Sequence, residues 1–263
     1  MAELKAFFAR VRLPIFSVKH PDVFQIMSCL PVPQPSALVG ALAYCIGTFK
    51  GSGLDAFKNL KEMIKGGKTF VARAKPMGTM AFSPIVLRRF RVADEFDERK
   101  KLYEILEKEG YDEGKSFLER KLMDAFYRVY AMGHEILCVW IADENFEVDE
   151  KMIHLLQRLG DTESLVTVSE TWVEEVRRDT ASKINTSFPF PLRSGDIKRG
   201  DFTVTKMLDE KFLTEQFVVP VRHELRRINA GRVIVIEPTE IEVEFPNPTP
   251  YCETSEGKII LAG

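Results

Sequence analysis

The pattern of apolar and polar positions changes period several times along the chain, and each change marks an element. Leu4 to Arg12 is apolar on both faces in its middle, which predicts a central strand with Arg10 and Arg12 projecting together from one side. Pro31, Pro33 and Pro35 then impose an extended approach that cannot itself be helical. Ser36 stands where an N-cap is expected, Leu38, Leu42 and Cys45 share one face of the following helix, and Gly47 marks its stop. A second helix is predicted from Leu54 to Lys65, with Leu54, Phe57, Leu60 and Ile64 as its apolar stripe. Ser52 precedes it with Asp55 three positions on, and Gly66-Gly67 ends it. Thr69 to Lys75 and Ile85 to Val92 read as strands joined through Pro76-Met77-Gly78.

From Asp94 to Lys121 the sequence is strongly charged, helical in composition and divided by Gly110 and Gly114, so it reads as an insertion. Phe126 to Met132 and His134 to Ala142 alternate around Gly133 and predict a hairpin that returns to the sheet. A helix from Asp149 to Leu159 and a strand from Leu165 to Trp172 follow. Strand, helix and strand in this order fit an α+β core of the ferredoxin-like kind over residues 1–187. After Phe188-Pro189-Phe190-Pro191 come short strand-like runs at Phe202 to Met207, Phe217 to Val221, Val233 to Ile236, Ile241 to Phe245 and Ile259 to Leu261. A smaller β-rich unit is therefore expected over 188–263.

A chain of 263 residues with 45% hydrophobic content can bury a substantial core. No stretch approaches the apolar length of a membrane span, and the first residues are charged and alternating rather than a signal peptide, so a soluble cytoplasmic protein without a membrane partner is expected. Cys29, Cys45, Cys138 and Cys252 lack metal-ligand spacing and read as free thiols, mostly buried. Abundant Lys and Glu with few Asn and Gln match the balance of thermophile proteins.

The net charge is −2, yet the charge is segregated. Between Lys58 and Ala93, nine basic residues (Lys58, Lys61, Lys65, Lys68, Arg73, Lys75, Arg88, Arg89 and Arg91) face the single acid Glu62. A solvated helix face accounts for Lys58, Lys61 and Lys65. Arg73 with Lys75, and Arg89 with Arg91, fall at strand spacing and so share a face, which fits either a nucleic-acid surface or ordinary solvation. The helix start near Gln34 and Ser36 presents unpaired N–H groups that suit a phosphate, although a core helix after a tight turn has the same signature.

Enzyme motifs are absent: there is no phosphate loop, nucleophile elbow or paired-histidine zinc motif, and no cofactor or metal is implied. His20, His134, His154 and His223 are scattered without a partner at useful spacing. Tyr44 lies among Leu42, Ala43 and Cys45, which favours a packing role.

Leu13-Pro14-Ile15-Phe16, the segment around Pro21, the block Pro33 to Tyr44 and the later Leu159 to Val166 together resemble the fifth CRISPR-associated protein family, within the repeat-associated mysterious protein (RAMP) superfamily. The resemblance covers most of the first two-thirds, weakens after Phe188, and is nearest to the archaeal type I-A branch. It implies a ferredoxin-like, RRM-related core with an inserted thumb, placed within about residues 88–132. It further implies a non-catalytic subunit of a Cascade surveillance complex that caps the 5′ handle of the CRISPR RNA (crRNA), docks the backbone RAMP subunit beside the other Cascade subunits, and meets target DNA only through the assembled complex in antiviral defence.

On that reading Gln34 and Ser36 contact phosphate or sugar, while Arg10, Arg12, Arg73, Lys75, Arg88, Arg89 and Arg91 supply positive charge. Tyr127, Tyr130 and Phe90 are the aromatics available to stack on bases. One branch of the same family implies the alternative, a metal-independent endoribonuclease acting with Tyr, Lys and His on precursor crRNA. Lys19 and His20 are adjacent, but His20 beside Pro21 reads as a turn residue, so no convincing Lys-His pair supports it here. A third reading is an assembly protein whose basic patch pairs with an acidic partner and touches no RNA.

Overall fold

The computed structural model describes residues 3–21, 28–90, 96–160, 164–193, 195–228 and 231–261, with the backbone alone at 87–90, 96–99, 122, 124–126, 228, 231 and 232. The first half contains β1 (Glu3–Arg12), β2 (Ile15–Phe16), α1 (Pro35–Lys50), α2 (Leu54–Lys65), β3 (Phe70–Pro76) and β4 (Met80–Phe90). Then come α3 (Phe96–Lys108), α4 (Tyr111–Phe117), a π-helical turn (Leu118–Leu122), β5 (Met123–Met132), β6 (Glu135–Asp143), α5 (Glu150–Ile153) and β7 (Thr167–Thr186). The remainder is strand: β8 (Phe190–Pro191), β9 (Asp196–Arg199), β10 (Thr203–Leu208), β11 (Thr214–Val219), β12 (Val221–Ile228), β13 (Gly231–Pro238), β14 (Ile241–Thr254) and β15 (Gly257–Ile260).

The main sheet runs β15-β14-β7-β1-β6-β3, with β9 beside β14. Its centre is β1, paired antiparallel with both β6 and β7. This explains the two-faced apolar middle of the strand: Phe7, Ala9 and Val11 pack on the helix side, Leu4, Ala6 and Phe8 on the other. The sheet curls into a half-barrel, so that Cys252, Ile259 and Leu261 fold over that second face and meet Leu4, Phe8 and Val71. Helix α1 lies on the first face, where the Trp140 indole donates to the Leu38 carbonyl at 3.0 Å.

The start of α1 is two residues earlier than the sequence predicts. Pro35 takes N1, where its missing N–H and fixed φ cost nothing, Gln34 is the N-cap, and Ser36 is buried inside the first turn without a capping bond. Nor does Gly47 end the helix. It runs on to Lys50, and Gly51 closes it at φ 66. Gly47 is required for another reason: a Cβ there would stand 2.6 Å from the Gly53 carbonyl, where the next turn folds back on the helix.

Two other expectations are corrected. The segment from Asp149 is helical only over Glu150–Ile153, because the Leu159 N–H pairs with the Ser164 carbonyl and the Val166 N–H with that of Gln157, drawing the chain out of the helix. And β5 and β6 are not a hairpin. The link between β1 and β2 reaches the Gly133 region, with the Gly133 N–H bonded to Pro14 and the His134 carbonyl accepting from Leu13, so the chain passes straight from one sheet into another.

That second sheet, β12-β13-β4-β5-β2, forms an arm. The β3–β6 ladder breaks at Met77 to Thr79 and resumes as β4–β5, with α3, α4 and the π-turn inserted between those strands. The strands after Phe188 are distributed: β14 joins the main sheet through β7, β13 joins the arm through β4, and β10-β11-β8 forms a small third sheet. No helix among the described residues is long and apolar enough to cross a membrane.

Candidate nucleic-acid interface

At the start of α1, Gln34 is tied into the fold. The Gln34 side-chain oxygen accepts from the Leu208 N–H at 3.0 Å and its carbonyl accepts from Ala37 and Leu38, tying the helix to β10. Ser36 is buried. The Ser36 side chain does not present itself to solvent as a phosphate contact and that expectation is corrected, while Gln34 is half-buried with its side-chain oxygen engaged.

The basic pair on β3 is engaged internally. Arg73 is 1% exposed, forms an ion pair with Glu210, donates to the Ala72 carbonyl at 2.8 Å and lies over the Phe217 ring. Glu210 also accepts the Ala72 N–H at 2.8 Å, closing the open edge of β3. A guanidinium so placed does not reach a phosphate in solvent, so Arg73 is a structural residue. Lys75, with a side chain 12% exposed, donates to the Glu256 carbonyl at 2.7 Å and sits 4.5 Å above Phe188. Burial pushes its ammonium pKa down, partly offset by Glu256.

On β1 the two arginines differ. Arg10 pairs with Glu170 at 2.8 Å and Glu256 at 3.5 Å and lies over Trp172. Arg12, at 60% side-chain exposure, makes only a 3.6 Å approach to Glu135 and offers a solvent-facing cation.

On the arm, directly paired residues place one face in register: Leu225 beside Ile234, Ile234 beside Phe82, Phe82 beside Ala131, and Val86 beside Tyr127. At the base this face is core, with Ala131 and Ile236 fully buried. Further out it emerges into solvent, where Tyr127 is 64% exposed and Val86, Leu225 and Ile234 are also exposed. Arg88 and Arg89 continue β4 opposite Ala125 and Asp124, and their side chains, with that of Phe90, lie outside the described residues, as does Arg91 altogether. Tyr130 points to the other face and is buried with the Arg128 guanidinium over its ring, so it cannot stack on a base.

Tyr44 corrects the expectation of packing. Its helix neighbours are buried, but Tyr44 is 47% exposed, and its hydroxyl donates to the Gln157 side chain at 2.9 Å. It borders an open hollow of about 510 Å³ with Ala37, Gly40, Arg158 and Gly160. Among the described residues, no histidine or lysine lines this hollow. His134 is exposed near Glu135, while His154 meets the Thr171 hydroxyl at 2.9 Å. Among the described residues, no group of three or more His, Cys, Asp or Glu side chains forms a candidate metal site.

No family model matches the sequence. A CRISPR-associated protein Cas5 of Thermoproteus tenax is 29% identical over 221 residues, spanning 83% of this chain and 86% of the relative. One of Methanocaldococcus jannaschii is 30% identical over 183 residues, 65% of each chain. The crystal structure of a CRISPR protein from Archaeoglobus fulgidus matches with a TM-score of 0.59 over 97% of this chain and 98% of that one, at 16% identity, a likeness of fold. Two relatives of one name, aligned over 83% and 65% of this sequence, support a protein of the CRISPR-associated Cas5 family.

Proposed function

We propose that this chain is a non-catalytic subunit of a type I CRISPR surveillance complex, capping the 5′ handle of the crRNA and docking through its arm onto the backbone subunit. The β7-β1-β6-β3 order, with α1 and α2 between β1 and β3 and the short α5 between β6 and β7, reads as the split βαβ unit of a ferredoxin-like, RRM-related core. The observation that carries the proposal is the arm, whose apolar face leaves the core and remains uncovered at Val86, Tyr127, Leu225 and Ile234. A contiguous exposed apolar patch marks a partner surface. Tyr127 is the aromatic positioned for base stacking, and Arg12 supplies an open charge. Recognition of target DNA then falls to base pairing by the guide.

The test is co-expression with the neighbouring subunits and a CRISPR array, followed by sequencing of the retained RNA. RNA with one defined 5′ end is expected, and Tyr127→Ala should reduce its recovery; retained complexes without RNA would favour an assembly protein instead.

The exposure of Tyr44 gives the endoribonuclease reading a structural foothold. Its hydroxyl donates to an amide, which cannot take the proton of an attacking 2′-hydroxyl, and the described residues that line the hollow include no histidine, lysine or carboxylate. Binding without turnover is the better account. Incubation with repeat RNA in chelator should give no specific product, and cleavage at the handle boundary abolished by Tyr44→Phe would overturn it.

A further inference from the structure

The second face of the main sheet ends in a cluster that neither the arm nor the start of α1 involves. Trp172 stacks on Phe8 with centroids 4.8 Å apart and planes 7° from parallel, and the Arg10 guanidinium lies 5.7 Å from the indole. Lys75 faces the same region from β3. The β14–β15 turn folds across this aromatic and basic floor. One carboxylate oxygen of Glu256 is 3.5 Å from Arg10 and the other 3.4 Å from Lys75, so one anion bridges two cations brought from β1 and β3 on the same face of the sheet.

The turn is held by the Lys75 ammonium on the Glu256 carbonyl at 2.7 Å, by the Thr254 hydroxyl and by Glu174. Glu174 accepts from the Ser255 N–H at 3.0 Å and from its hydroxyl, and also from the Trp172 indole at 2.8 Å. Gly257 takes φ 116, a conformation that side chains rarely adopt, which makes this a tight reversal. The Glu256 carboxylate does not satisfy the site completely. The Nε–H of Arg10 is buried without a hydrogen-bond partner among the described residues, and the Lys75 ammonium is desolvated with its nearest charge on Glu256. A single-stranded polynucleotide carries an anionic oxygen for the two cations and a flat base to compete for the indole that Phe8 and Arg10 contact.

We propose that Arg10, Lys75 and Trp172 form a phosphodiester-and-base subsite for single-stranded RNA, which Glu256 of the β14–β15 turn occupies in the free protein and yields when RNA binds. The subsite rests on the RNA-binding reading above and adds a self-occupied state to it. Lys75 is then not available to RNA until the turn moves, and Arg10, which also pairs with Glu170 at 2.8 Å, loses one of its two acids when it does, so the turn sets a threshold that discriminates against weakly bound strands.

The experiment measures binding of a short oligouridylate to the whole protein as a function of salt, with Trp172 emission as a local readout. Trp140 is fully buried, and a Trp172→Phe control identifies the Trp172 share of the signal. Glu256→Gln should bind roughly tenfold more tightly, the scale of a charge-assisted contact released from competition. Its salt slope should steepen by about 0.7 for each additional phosphate neutralised, and RNA should quench Trp172. Adding Arg10→Gln should abolish the gain. If Glu256→Gln fails to fold, Glu174→Gln loosens the turn from the Ser255 side and must show the same quenching. Wild-type RNA binding with unchanged affinity, slope and Trp172 emission in both folded variants would overturn the subsite while leaving the proposed function intact. Absence of RNA binding by every form would remove the RNA-binding reading itself, and the subsite with it.

Discussion

Replacing Glu210 by Ala removes two things at once: the partner of a guanidinium that is 1% exposed, and the acceptor for the Ala72 N–H on the open edge of β3. The remaining charge of Arg73 cannot rehydrate, since the chain packs around it and the Phe217 ring covers it. Breaking a buried pair from one side costs about 3–5 kcal/mol, and the orphaned N–H lies within that figure rather than beside it, because the two losses share one carboxylate. At about 2–4 °C per kcal/mol for a chain of this size, the melting temperature should fall by roughly 6–20 °C. Calorimetry of the purified protein measures it. The double variant Arg73→Met with Glu210→Gln removes both charges but keeps an acceptor for Ala72, so it should be markedly more stable than Glu210→Ala. It should also bind RNA with the wild-type salt slope. A Glu210→Ala protein within about 1 kcal/mol of wild type, or a double variant whose salt slope drops by about 0.7, would show that Arg73 works in solvent and refute the structural assignment.

Ser36→Ala should change stability by less than about 0.5 kcal/mol, because the hydroxyl caps nothing, and a loss near the ~1 kcal/mol of a true N-cap would restore it as one. Gly47→Ala should lower stability by about 1–3 kcal/mol despite the better helix propensity of Ala, since its Cβ would press on the Gly53 carbonyl; a neutral or stabilised variant contradicts that packing. Burial pushes the Asp209 carboxyl above the usual aspartate range, with Glu210 adding to the shift and the N–H groups of Leu213 and Lys211 opposing it. The folded state then binds this proton more tightly than the unfolded chain, so between the ordinary value of about 3.9 and the higher folded value stability rises as pH falls. The melting difference between wild type and Asp209→Asn should accordingly move in favour of wild type on acidification, and a difference independent of pH counts against the shift.

The strands and helices that the sequence revealed are those whose pattern is set locally. The apolar middle of β1, the stripe Leu54-Phe57-Leu60-Ile64 on α2 and the charged helical insertion all follow from periodicity. What periodicity does not carry is partnership. Phe126 to Met132 and His134 to Ala142 alternate equally well, and only the long-range bonds around Gly133 decide that they belong to different sheets. The 20-residue β7 was legible only at its beginning, because its later part, Val173 to Thr186, faces solvent on one side and reads as a charged segment. Gly47 and Gly51 show the same limit at one residue's scale: both are plausible helix ends, and the contact with Gly53 distinguishes them.

For the candidate site the limit is sharper, because spacing gives the face of a strand but not the depth of that face. Arg73 and Lys75 do share a side of β3, as their spacing requires, yet the curl of the sheet brings β15 and the turn at Glu256 over it, while Glu210 arrives from the loop after β10. Both acids lie more than a hundred residues away in sequence, so the count of nine bases against one acid in that segment describes the chain and not its surface. Tyr44 errs in the opposite direction: its sequence neighbours are apolar because they face the core, and a helix that buries Leu42, Ala43 and Cys45 turns Tyr44 outward. Net charge near zero is compatible with anion binding here because some cations, such as Arg12, remain open, whereas others, such as Lys75 and Arg10, are balanced by acids of the same chain. The affinity of such a surface depends on which internal pairs an incoming phosphate can replace: the Glu256 carboxylate stands 3.4 and 3.5 Å from its two cations, whereas Glu210 holds both the buried Arg73 and the Ala72 N–H of β3.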